Sequence, residues 1–225
     1  MAYTRLGDSS ATFGGMMKDG FGIVTVMNAS VYDALSTEEY AAQTPEEIIA
    51  AAKDPICTLD TLKVANVTME GPSKTVTGGR YSNPLIKFGK SARLEMQDAL
   101  GNGNAIDALC GGVAEYASLT NDKTVDRTSA ISALHFGEDF CGPKMIIGET
   151  FFIDRKTGQQ VKVNIVFYQF LPDSIFNLTQ DAEGDATVFD MNGDLLTTEV
   201  LLPTDAEGVT APHGVFYSIV PVSSK

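Results

Sequence analysis

Tryptophan is absent from this chain of 225 residues, histidine occurs twice and cysteine three times. Each scarcity excludes something. A sugar-binding groove without tryptophan has few aromatic platforms to stack on. Cys57, Cys110 and Cys141 are far apart and odd in number, and neither a CxxC nor a zinc-ligand spacing appears. They read as reduced, mostly buried thiols of a protein made in a reducing cytosol. Basic residues are also scarce: 16 Lys and Arg face 29 Asp and Glu, for a formal net charge of −13 and a pI near 4.4. A surface this acidic repels a nucleic-acid backbone and an anionic membrane. No apolar run approaches the ~20 residues of a membrane helix. "MAYTRLGDSS" lacks the apolar core of a signal peptide, so none is expected.

What is present favours a packed β protein. Hydrophobic residues make up 44% and charged residues 20%, which supports a sizeable core and argues against disorder. No internal repeat or composition break divides the chain, so residues 1–225 read as a single domain. Residues 1–22, rich in Gly, Met and Phe, read as an N-terminal arm. Phe21–Tyr32 reads as a strand. Ser36 with Glu39, and Thr44 with Pro45 and Glu47, form two capping-box signatures. The second opens a short helix that Asp54-Pro55 stops. Only Ile48 and Ile49 are large and apolar there, so residues 35–55 read as a helical excursion with little to bury. "LDTLKVANVTME" reads as one strand with a bulge near Ala65-Asn66.

Thr75–Gly101, "TVTGGRYSNPLIKFGKSARLEMQDALG", holds turn signals at Gly78-Gly79 and Asn83-Pro84. In its "SARLEMQ", Ala92, Leu94 and Met96 alternate with Arg93, Glu95 and Gln97, a strand with one wet face. After Gly101 the period changes. Ile106, Leu109, Cys110, Val113 and Tyr116 trace a helical stripe, with Asn104 as its cap and Asp107 near its positive end. Gly111-Gly112 is the expected end of that helix. "MIIGETFFID" and "QVKVNIVFYQF" predict a hairpin with Val161, Val163, Ile165 and Phe167 on one face. "SIFNLTQ" and "ATVFDM" predict a second around "DAEGD". "HGVFYSIVPV" predicts a final strand, with Pro221 at an edge or strand end. The sum is a mainly β domain, a β-sandwich or partly closed barrel with one packed α-helix and extended loop and arm excursions.

Motifs for chemistry are weak. "GNGNAI" lacks the third glycine of a dinucleotide fingerprint and the alternating βαβ pattern. His135, Glu138, Asp139 and Cys141 in "LHFGEDFCG" are possible metal ligands or a Cys–His pair, yet an acidic turn beside a buried thiol explains them as well. "DMNGDLL" around Asp190 resembles a calcium loop, but Leu195 stands where the sharp-turn glycine belongs. No GxSxG elbow occurs. No catalytic, cofactor-binding or metal residue is nominated, and a non-enzyme is expected.

Thr75–Gly101, then "GETFFIDRKTGQQVKV" and "DAEGDATVFDM", together about a third of the chain, resemble the tail tube (major tail) proteins of long-tailed bacteriophages. The resemblance implies a β-sandwich or barrel flanked by a helix, assembled into hexameric rings whose inner strands join in one continuous barrel. The rings stack into a tube for DNA ejection. The implied partners are the chain itself and other tail proteins: sheath if the tail is contractile, tape measure and terminator. The implied location is the virion tail, after synthesis in the host bacterial cytoplasm. DNA would pass without specific binding, and no membrane or cofactor is implied. Ring closure would protect strand edges. Six subunits would carry 6 × −13 = −78 formal charges per ring. On this view part of the acidic charge faces the lumen: some of the turn residues Asp181, Glu183, Asp185, Asp205 and Glu207 line it or the ring-to-ring rims, and the rest lie outside. The wet faces of "SARLEMQ" and "QVKVNIV" are poor lumen walls unless their cations are paired. Two other classes share the acidic, motif-free character: a capsid decoration or other virion β protein, and a small-ligand or sugar-binding β-sandwich. Imaging separates tubes from decoration, and a concave aromatic patch would mark the ligand binder.

Overall fold

Two long strands, β9 (Lys144–Ile153) and β10 (Gln160–Pro172), form the central hairpin, in register from Ile153↔Gln160 to Ile146↔Phe167. Their β-branched and aromatic residues alternate in direction, as expected, but both faces are buried. Ile146, Ile165 and Phe167 enter one core, while Met145, Ile147, Val166 and Tyr168 enter a second on the opposite face. The computed structural model describes residues 28–60, 62–75, 85–87, 89–98, 103–117, 130–138, 140–153, 160–174, 189–204 and 208–222.

Strands β1 (Asn28–Asp33), β2 (Cys57–Leu59), β3 (Leu62–Glu70), β6 (Ser91–Asp98), β11 (Phe189–Leu195) and β14 (Tyr217–Pro221) extend this hairpin into an eight-stranded antiparallel sheet. The path runs β2-β1-β9-β10-β11-β6-β3, with β14 also paired to β10. β14 and β11 share one edge of β10: β14 takes Val163–Phe167 and β11 takes Phe170–Pro172. Two short hairpins, β4 (Ser73–Thr75) with β5 (Leu85–Lys87) and β7 (Gly112–Tyr116) with β8 (Ile131–Phe136), stand apart, as does β12 (Thr198–Pro203) with β13 (Thr210–Val215). The fold is mainly β and sandwich-like, as the residue patterns indicated.

The terminal strands β2 and β3 are joined through residues 60 and 61, so the path bends back towards closure. Three Cα steps cannot span more than ~11 Å. Helix α3 (Gly103–Leu109) fills the space thus enclosed. Its Ala105, Ile106, Ala108 and Leu109 pack with Leu59, Leu94, Met96, Met191 and Phe170 in the larger core. Gly111, at φ 71, ends the helix in the left-handed region that glycine adopts without penalty.

Helices α1 (Thr37–Ala41) and α2 (Pro45–Ala51) begin in the two expected capping boxes. Ser36 Oγ accepts the Glu39 amide at 3.2 Å while Glu39 accepts the Ser36 amide at 2.8 Å. The Thr44–Glu47 pair repeats this reciprocity. Asp54 follows at φ 52, a conformation that Asp tolerates better than bulkier side chains.

Several expectations are corrected. The 35–55 excursion does have something to bury: Tyr40 and Ile48 are fully buried against β9, β10 and β12 of the same chain. "LDTLKVANVTME" does hold one strand, β3 from Leu62 to Glu70, but its Leu59 ends β2 at the other end of the sheet path, and the register shift lies between Leu62 and Val64 rather than near Ala65-Asn66. Asn104 lies inside α3 and accepts from the Tyr116 hydroxyl at 2.6 Å, so it is not the cap. Val113 and Tyr116 belong to β7, because the glycines before them end the helix. "HGVFYSIVPV" divides into the end of β13 and β14, with Pro221 closing β14. The arm at 1–22, the two turns between β4 and β5, and Asp181, Glu183, Asp185, Asp205 and Glu207 lie outside the described residues. So does most of the hairpin around "DAEGD"; its Phe189, Asp190 and Met191 form the start of β11, which pairs β6 and the end of β10.

Candidate assembly surface

Strand alternation divides β3, β6 and β11 into two unlike faces. On the inner face, Ala92, Leu94 and Met96 of β6 and Met191 and Leu195 of β11 are buried in the larger core. On the outer face the register places Asp194 opposite Arg93, Asn192 opposite Glu95 and Asp190 opposite Gln97. β3 continues the row with Thr68 opposite Arg93, Asn66 opposite Glu95 and Glu70 opposite Ser91. The row is polar except where the register brings Val64 opposite Gln97.

Its charges are arranged to leave carboxylates in excess. Arg93 is held by Asp173, on the segment after β10, and by Asp194 at 3.2 Å. The hydrogen bond to Asp173 is the main cause of its raised pKa, so the guanidinium remains fully charged and occupied. Gln97 donates to Asp190 at 2.8 Å. Among the described side chains, Glu70, Glu95, Asp190, Asp194 and Asp173 thus stand with one cation, Arg93, which Asp173 and Asp194 already hold. On β10, Lys162 is likewise paired, to Glu149 at 2.8 Å. The cations that made these two faces look mixed or basic in sequence are both neutralised by cross-strand or loop partners.

The sheet also stops abruptly at β3. Among the described residues its only strand partner is β6. Val67 and Met69 pair with the buried Leu94 and Ala92, so they lie on the core side of the sheet, yet they are 37% and 45% exposed. Among the described residues, this edge has no second strand partner, and its core side carries a partly exposed apolar strip. A second exposed apolar group stands on the β7–β8 side: Val113, Phe136 and Phe140, the last 82% exposed.

The residues singled out for chemistry do not converge. His135 lies on β8 with Nε2 3.5 Å from Glu115 of β7, an exposed pair. Cys141 points the other way, its Sγ accepting the Gly111 amide at 3.1 Å. Asp139 lies outside the described residues, and no group of three metal-ligating side chains exists among those described. Asp190 through Leu195 lie within strand β11, so "DMNGDLL" is no calcium loop. Its glycine, Gly193, is there for close approach: an added Cβ would lie 2.2 Å from the Leu171 carbonyl oxygen and 2.7 Å from the Phe170 ring. In "GNGNAI", Gly103 opens α3 beneath Ile131 rather than cradling a phosphate.

The Arg93–Asp173–Asp194 trio was not legible in sequence. Alternation sends Arg93 outward, but its partners lie 80 and 101 residues downstream. No family model matches this sequence, and a search of curated proteins finds no significant match.

Proposed function

We propose that this chain is a structural subunit of the tail-tube type, which self-assembles through the β3 edge into rings that stack as a conduit for DNA. The observation that carries the reading is the combination on β3, β6 and β11: an edge with no second strand partner among the described residues and a partly exposed apolar strip on one face, and a mostly polar surface rich in carboxylates on the other. A neighbour's strand added to β3 would satisfy the edge and cover Val67 and Met69. Ring closure would then turn the outer face of β3–β6–β11 towards the bore. There its excess carboxylates repel the DNA backbone, while the charge of Arg93 is already compensated by two carboxylates. Hexameric symmetry and the other tail partners come from the family resemblance.

Negative-stain imaging of the concentrated protein tests this directly. Rings or open-ended tubes are expected. Val67→Lys with Met69→Lys should abolish them while leaving the monomer folded, since both side chains are exposed and lysine protects an edge. Monomers at every concentration, or tubes unaffected by the double substitution, would overturn the reading.

A further inference from the structure

Cys141 is fixed at the end of α3. Its amide donates to Ser174 Oγ at 2.9 Å, its Sγ accepts the Gly111 amide at 3.1 Å, and that sulfur lies 3.5 Å from the Asp107 carbonyl oxygen. Cys110 immediately precedes Gly111 and is buried in the larger core. Gly111 N is two bonds from Cys110 Cα, so Cys141 Sγ stands within roughly 6 Å of that Cα. A disulfide needs the two Cβ atoms about 3.5–4.5 Å apart, a separation that this bound allows. Two cysteines from distant parts of the chain are thus neighbours, one immediately after α3 and one on the segment leading into β9.

We propose that Cys110 and Cys141 form a dithiol modification site, which a low-molecular-weight disulfide such as glutathione disulfide converts into an intrachain bridge stapling α3 to the segment before β9. Cys141 is partly exposed and reacts first. Its thiolate attacks one sulfur of glutathione disulfide, forming a mixed disulfide and expelling one glutathione thiolate. Cys110, as its thiolate, then attacks Cys141 Sγ and expels the second. Two protein thiols become one disulfide, and one glutathione disulfide becomes two reduced glutathiones. Burial, with a smaller contribution from Cys141, pushes the Cys110 thiol up to about 12. The second step is therefore slow at neutral pH and quickens as pH rises. In a reducing compartment the pair stays as thiols, and in an oxidising medium the staple forms. None of this depends on the assembly reading.

The test uses the full chain incubated with glutathione disulfide, then alkylated, digested without reduction and mapped by mass spectrometry. A peptide pair linking Cys110 to Cys141 is expected, with a rise in Tm on the order of 5–10 °C that dithiothreitol reverses. Cys57→Ser should behave as the parent. Cys110→Ser should stop at a glutathione adduct on Cys141. If that variant does not fold, Cys141→Ser, at the more exposed position, should leave Cys110 unmodified. A bridge through Cys57, an intermolecular bridge, an unresolved adduct on Cys141 in the parent chain, or unchanged thiols would each overturn the proposal.

Discussion

The Tyr40 hydroxyl donates to the main-chain oxygen of Tyr168 at 2.8 Å, and the two rings meet edge to face with centroids 5.5 Å apart. The same hydroxyl accepts the Leu35 amide at 3.1 Å. One side chain therefore closes the turn before α1 and anchors it to the centre of β10. This is why the helical excursion rests on its own sheet rather than waiting for a neighbour. Burial pushes both phenols up to about 12, so the contact remains uncharged across the physiological range.

Tyr40→Phe keeps the ring and removes both hydrogen bonds. It should cost about 1–3 kcal/mol, the penalty for leaving buried backbone groups unpaired. Equilibrium urea unfolding measures it. In the isolated monomer, the Ile48 and Ala52 amides, bonded to Thr44 and Ile48 carbonyls, should exchange slowly with solvent. Fast exchange there, with protection only on assembly, would make the excursion an inter-subunit element instead.

Leu109 lies at 1% exposure where α3 meets the curled sheet. Leu109→Ala should destabilise the fold by about 2–5 kcal/mol, combining lost transfer energy with an unfilled cavity. An unchanged Tm would mean that the helix does not plug the sheet.

Gly193→Ala should be worse tolerated than its size suggests. The new methyl group would sit inside the contact distance of the Leu171 carbonyl and the Phe170 ring, so β11 must move away from β10. Gly89→Ala is the matched control, because nothing lies within 4 Å of its added Cβ. A drop of several degrees in Tm for the first and little change for the second is expected. Equal effects would show that the seam between β10 and β11 has slack.

Local rules were readable along much of the chain. Ser36–Glu39 and Thr44–Glu47 announce their helix starts because a capping box is complete within four residues. The alternation of Ala92, Leu94 and Met96 announces a one-sided strand for the same reason. Long-range pairing was not readable. Nothing local says that Leu59 and Leu62, three residues apart, end on opposite terminal strands of one sheet path. The stripe through Val113 and Tyr116 failed because the helical spacing continued by chance beyond two glycines. The β6 face reads as mixed from Arg93, Glu95 and Gln97, and whether its cation is paired depends on Asp173 and Asp194, far along the chain.

The capping boxes give a pH dependence with a definite sign. Glu39 and Glu47 sit below their ordinary value of 4.5, chiefly because each accepts a main-chain amide at its helix N-cap. A carboxylate with a depressed folded-state pKa stabilises the fold fully above the ordinary value. That contribution is lost as pH falls through the lowered value. Both groups are exposed, so the effect is small and local. In the Glu39→Gln, Glu47→Gln double variant, the loss of α1 and α2 amide protection between pH 5 and 3 should shrink relative to the parent. An identical loss would assign it to other carboxylates.

The acidic outer face of β3–β6–β11 is the feature through which the proposed assembly would act on DNA. Glu95 and Asp190 are exposed, and neither forms a salt bridge among the described residues. Both can be reversed without disturbing the Arg93 cluster. Glu95→Lys with Asp190→Lys changes the formal charge by +4 per chain, and by 6 × 4 = +24 per ring of the proposed hexameric form. Tubes should still assemble, because the changed side chains lie on the face away from the core. They should now retain DNA in the bore and release it slowly at low salt, recovering as salt shortens the Debye length from about 30 Å at 0.01 M to about 8 Å at 0.15 M. Arg93→Ala provides the complementary arm. It frees Asp173 and Asp194, leaves the face more acidic and should not slow release. Release rates from loaded tubes across a salt series measure both arms. If the double reversal released DNA as fast as the parent at low salt, this face would not line the conduit, even in a chain that forms tubes.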